Sequence, residues 1–141
     1  MNNFSRPSGF TLFEILLIVV LVGVLILSAV PSFIQVSLES RLAERDSVVS
    51  AVRSGIDLYR AKTSATHGGP GKFPEQLDRA PAKLCANEDN PFFIHVLEKG
   101  VQDTNWFKGE GINIYYFYDG SRQYLYTYHP ETGDFAEGPR N

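Results

Sequence analysis

The residue of this chain best placed to do chemistry is a single carboxylate inside a long apolar run. From Phe10 to Val30 the only formal charge is Glu14. A charged side chain at the centre of a bilayer costs about 2.5 kcal/mol or more, and less toward the end of a span, where Glu14 stands. The dipole of a helix starting here favours a negative charge in its first turn by only about 0.3–1 kcal/mol. That is too little to explain the residue; a cation brought in from another molecule would explain it. Other chemistry is sparse. His67, His95 and His129 show no metal-ligand spacing such as His-x-x-x-His, and they read as loop or surface residues. There is no Gly-x-Ser-x-Gly, no phosphate loop and no Cys-x-x-Cys, so the chain reads as a non-enzyme. Cys85 is the single cysteine and cannot form an intramolecular disulfide. Free cysteines are commonly buried, and Cys85 is expected to be so.

The elements that must position Glu14 follow from periodicity. The apolar run of about 21 residues is close to the roughly 20 that a helix needs to cross a bilayer. Gly23 weakens its interior and Pro31 removes a hydrogen bond, so both are candidate kink positions. Beyond Pro31 continuous apolarity gives way to a stripe: Ile34, Leu38, Leu42, Val49, Val52, Ile56 and Tyr59, mostly three, four or seven apart. The spacing predicts one long helix to about Lys62, apolar all round in its first half and amphipathic in its second. The composition of 67–71, His-Gly-Gly-Pro-Gly, ends it. Short helices are expected at 73–77 and 90–100, with Trp106 and Phe107 in a loop. Ile112 to Tyr118 and Tyr124 to Tyr128 alternate as strands around an Asp119-Gly120 turn, and a third strand is expected near Asp134-Phe135. So small a sheet needs an apolar partner, and the stripe from Val49 to Tyr59 supplies one. The reading is α+β: a long N-terminal helix packed against a small antiparallel sheet.

Composition limits the function. With 13 Lys plus Arg against 16 Asp plus Glu, the net charge is -3, and no basic run marks a nucleic-acid surface. Arg6 and the amino terminus place the positive flank before the apolar run, which predicts a cytoplasmic start and an exported remainder. An ordinary secretory signal cut near Leu27-Ser28-Ala29 is the competing reading. Glu14 inside the apolar region and the helical pattern that continues past it argue against that.

Gly9-Phe10-Thr11-Leu12-Phe13-Glu14, the apolar stretch, Gly23 and Pro31 together resemble the type IV pilin and type II secretion pseudopilin superfamily. The resemblance spans residues 5–60. It departs from the usual pattern at Ser8, where a basic residue is common, and at Phe13, where an aliphatic is usual. It implies cleavage after Gly9 by a prepilin peptidase and N-methylation of Phe10. It also implies pairing of Glu14 with the terminal amine of a neighbouring subunit. The expected division is a leader at 1–9, a transmembrane and assembly helix at 10–31, and a periplasmic head at 32–141. The implied partners are copies of the chain, other pilin-like subunits, the peptidase and an inner-membrane assembly platform; nucleic acid is not among them. No cofactor is expected. Calcium is the one ion the resemblance raises, with Asn87, Glu88, Asp89 and Asn90, or Asp103, Asn105 and Glu110, as oxygen donors without a specific spacing. Within the superfamily a pseudopilin or minor subunit is favoured. The alternatives are a fibre-tip subunit that binds a surface or DNA, and a membrane-anchored periplasmic domain that never polymerises.

Overall fold

A computed structural model describes the backbone of residues 9–139 and the side chains of 9–26 and 35–139. One helix, α1, runs Leu12–His67, and four strands follow: β1 Trp106–Lys108, β2 Ile114–Tyr118, β3 Gln123–His129 and β4 Asp134–Glu137. The architecture is the expected α+β. The chain divides into two compact units, Met1–Ser37 and Leu38–Asn141. The second holds the rest of α1 and the whole sheet.

The strands form a four-stranded antiparallel meander in sequence order, β1-β2-β3-β4. Tyr115 stands opposite Tyr126, and Tyr128 opposite Phe135. The buried face is aromatic: Trp106, Tyr115, Phe117, Tyr126, Tyr128 and Phe135 are each at most 1% exposed. Their rings meet edge-on or stacked, as for Phe93 on Trp106 at 5.5 Å and Tyr126 on Phe135 at 5.3 Å, arrangements that suit the ring quadrupole. Val49, Val52 and Ile56 of the helical stripe complete the core. Arg41 and Arg53 fasten the helix to the sheet by donating to the carbonyls of Asp119 and Phe135. The stripe fades toward its start: Leu42 is half-buried and Leu38 exposed.

The connection from α1 to β1 differs from expectation. The helix continues to His67, five residues past Lys62, and ends where Gly68 takes the left-handed conformation (φ 67°) with its N–H on the Ser64 carbonyl. The short helices expected at 73–77 and 90–100 do not form. Each has a proline near its start, but their backbone groups are claimed by distant partners. The Tyr128 hydroxyl donates to the Pro74 carbonyl at 2.7 Å, and the His95 N–H donates to that of Leu77 at 3.0 Å. Phe92 pairs with Val101 in an isolated bridge, and only one turn, from Phe93 to Leu97, is helix-like. Phe93 sits at φ 61°, a conformation that costs a non-glycine residue about 1–3 kcal/mol and persists where the surroundings over-determine it. Trp106 and Phe107 lie in β1 rather than in a loop. The outer edge of β1 is covered by the segment 83–86, through Lys83 N–H to the Lys108 carbonyl, Lys108 N–H to that of Leu84 and Ala86 N–H to that of Trp106. Cys85 lies in this segment and is half-buried, where full burial was expected, because a segment along a sheet edge has one side open.

Gly55 marks the closest approach of the loop to α1. A Cβ there would stand 2.3 Å from the Val96 carbonyl oxygen, so only glycine lets the 93–97 turn lie against the helix.

Candidate functional site at the helix start

Thr11 caps α1. Its carbonyl accepts the N–H of Glu14 at 3.0 Å and of Ile15 at 3.1 Å, and its hydroxyl accepts the Glu14 N–H at 3.3 Å. Thr11-x-x-Glu14 has the spacing of a capping box, a local signal that the sequence reading passed over. Glu14 therefore sits in the first turn of the helix. Its side chain is exposed, and it takes part in none of the ion pairs among the described residues.

Apart from Thr11, the surface around that carboxylate is apolar. Phe10 is 71% exposed, Leu12 84% and Phe13 72%. Ile15 to Ile26 follow with their large side chains between 45% and 65% exposed. A helix hydrophobic all round belongs inside something apolar, and an exposed surface of this extent marks an interaction site. Gly9 and Phe10 precede the helix in exposed, non-helical chain. The rest of the expected leader, residues 1–8, lies outside the described residues. The helix assignment includes both Gly23 and Pro31, the expected kink positions; the Pro31 side chain lies outside the described ones. Among the described residues no helix is long and apolar enough to cross a membrane. The described side chains of the apolar run stop at Ile26 and resume at Gln35, short of the roughly 20 residues a span requires.

Several of the oxygen donors considered for calcium have protein partners. The Asn87 carboxamide oxygen accepts the Asn90 N–H, and Asp103 Oδ1 accepts both the N–H and the side-chain amide of Asn105. Glu110 pairs instead with Lys83 at 2.8 Å. No group of three or more His, Cys, Asp or Glu side chains placed to hold a metal occurs among the described residues. His67 and His129 are exposed. His95 is half-buried, with Nδ1 2.7 Å from the Gln76 carbonyl oxygen.

A charged cluster inside the head went unread in the sequence. Asp78 and Lys108 form an ion pair whose side chains are 0% and 2% exposed. Asp78 Oδ2 accepts the Tyr115 hydroxyl at 2.8 Å and the Phe93 N–H at 3.1 Å, and Oδ1 accepts the Ala80 N–H at 3.1 Å as well as the Lys108 ammonium. Lys108 Nζ also donates to the Tyr115 hydroxyl at 3.0 Å and lies 4.4 Å from the centre of that ring. Once Trp106 lies in β1, Lys108, two residues further on, faces the same side of the strand. Burial pushes the Lys108 ammonium down from its ordinary value, against the pull of Asp78. Burial, and then the Asp78 charge, pushes the Tyr115 phenol up.

Burial also raises the Tyr126 and Tyr128 phenols from 10.0 to about 12. Below pH 10 both are protonated whether the chain is folded or not. Between about pH 10 and 12 only the unfolded chain ionises, so the head loses stability across that window, by about 1.4 kcal/mol per pH unit for each phenol. Lys108 acts in the opposite sense, and its contribution is complete by about its ordinary 10.5. Urea midpoints should be lower at pH 11.5 than at pH 9.5; a flat profile would contradict the burial of these rings.

Among curated proteins the chain is similar to the type IV narrow pilus major component PilA5 of Thermus thermophilus, 39% identical over 53 residues. The match spans 38% of this chain and 46% of that protein, about half its length. No family model and no solved structure matches the chain.

Proposed function

We propose that this chain is a structural subunit cleaved after Gly9, N-methylated at Phe10 by a prepilin peptidase, and polymerised through its N-terminal helices into a pilus-like fibre. The observation that carries the reading is the helix start: apolar on all sides, with Glu14 its one formal charge and Thr11 holding the first turn. Before assembly, 10–31 spans the inner membrane with the head on the periplasmic side. Assembly exchanges lipid for other helices. Apolar surface alone gives no preference in that exchange, so close packing and polar pairs supply the drive. Glu14 paired with a neighbour's Phe10 amine is such a contact, and it fixes axial register. Copies of the chain, other pilin-like subunits and an inner-membrane platform are the partners. The similarity to a pilus component favours a type IV pilus over a type II secretion pseudopilus as the parent machine. The mass of the mature N-terminal peptide, from protein recovered from native membranes, tests the processing. A methylated Phe10 terminus is expected. A terminus near Val30 would mean a secretory signal and no fibre, and an intact Met1 would mean an uncleaved anchor.

A further inference from the structure

We propose that Asp78 and Lys108 are joined by an intramolecular amide that the folded head forms from its own buried carboxylate and amine. The two groups are in direct contact and closed off from water, with Lys108 over the Phe92 and Tyr115 rings and the Phe93 ring against Tyr115. Two opposite charges in such a place carry a desolvation cost that their attraction only partly offsets. Condensation removes both charges at once.

The hydrogen bonds already present match what the reaction needs. Lys108 passes one ammonium proton to Asp78 Oδ1, leaving a neutral amine beside a neutral carboxylic acid. Burial favours that exchange, as the lowered Lys108 value reflects. The Nζ lone pair attacks Cγ, and the carbonyl electron pair moves onto Oδ2. The Tyr115 hydroxyl and the Phe93 N–H, at 2.8 and 3.1 Å, both point at Oδ2, where the negative charge develops. A second proton moves from Nζ to Oδ1, the Oδ2 pair re-forms the carbonyl, and Oδ1 leaves as water. One ammonium and one carboxylate become one amide and one water, with no oxidant or co-reactant. Tyr115 and Phe93 keep their acceptor, and only the Ala80 N–H loses one. The unusual backbone of Phe93 gains a purpose, because it aims that N–H into the cluster. The link would tie the segment that carries Asp78 to strand β1, 30 residues further along. A chain with one cysteine cannot make that tie with a disulfide.

The proposal does not depend on polymerisation. Its test is the intact mass of the full chain, extracted in detergent and denatured. The expected mass is one water lighter than the residues between its determined ends require, with a branched peptide joining positions 78 and 108 after digestion. Asp78→Asn should give the same branched peptide by loss of ammonia, and Lys108→Arg should restore the full mass. An undiminished mass in the native chain overturns the proposal. So does a water loss that maps to Asp119-Gly120, where cyclisation of the aspartyl peptide would mimic the mass change.

Discussion

On the proposed function, Glu14→Ala should abolish fibre assembly and leave membrane insertion intact. The substitution removes the one charge from the apolar run, so insertion becomes easier, by up to about 2.5–3.5 kcal/mol at mid-bilayer and less at this depth. The helix start survives, because the Thr11 hydroxyl and carbonyl bond to the backbone N–H groups of residues 14 and 15. What would disappear is the proposed partner for a neighbour's terminal amine. In a desolvated interface, removing one member of an ion pair costs about 2–5 kcal/mol, since the other charge is left buried alone. The cost recurs at every subunit, so fibre yield should fall below detection. Glu14→Gln keeps the size and hydrogen-bonding capacity of the side chain without its charge, and it should fail equally if charge pairing is the mechanism. The measurement is the yield of sheared fibres against the amount of protein in the membrane fraction. Normal yield from either variant would remove Glu14 from the mechanism. Loss of protein from the membrane fraction would locate its role in insertion.

Asp78→Ala should unfold the head or bring it close to unfolding. It strands the Lys108 ammonium in an aromatic core and takes the acceptor from the Tyr115 hydroxyl and the Phe93 and Ala80 N–H groups. Breaking a buried pair from one side costs about 3–5 kcal/mol, against a total stability of about 5–15 kcal/mol for a domain. Phe93 adds to the loss, since its left-handed conformation is held in part by this carboxylate. Replacing both partners with apolar residues of similar size, as in Asp78→Leu with Lys108→Met, should recover much of the loss, because no charge is then left unpaired. Urea unfolding followed by circular dichroism gives both numbers. A single-variant cost under about 1 kcal/mol would mean that water reaches the pair.

The contrast between the helix and the segment after it shows what a sequence makes legible. The α1 pattern is local: apolar spacing, a cap and a glycine stop all lie within a few residues of the features they decide. The strands alternate over their own length, and their register follows from short turns. Residues 73–100 are different. Phe73-Pro74 and Asn90-Pro91 carry good helix-start chemistry, yet Pro74 is bonded by Tyr128 and His95 by Leu77, partners that no local window contains. The same holds for Asp78 and Lys108. Each alone reads as an ordinary surface charge, and burial becomes apparent only when the sheet brings them together. The candidate site at the helix start is a linear stretch, so the sequence could single it out, although Thr11 was missed as a cap.

The sheet's two edges bear on how such heads can crowd. β1 is not a free edge, since residues 83–86 occupy its hydrogen-bonding groups. β4 is the other edge; Arg53 occupies its Phe135 carbonyl, and it has only four residues, beginning at Asp134 and ending at Glu137. An edge that is short and flanked by like charges is a poor template for another strand. Copies held side by side at the density of a fibre would meet by helix and loop, and the heads would resist fusing into a continuous sheet between molecules.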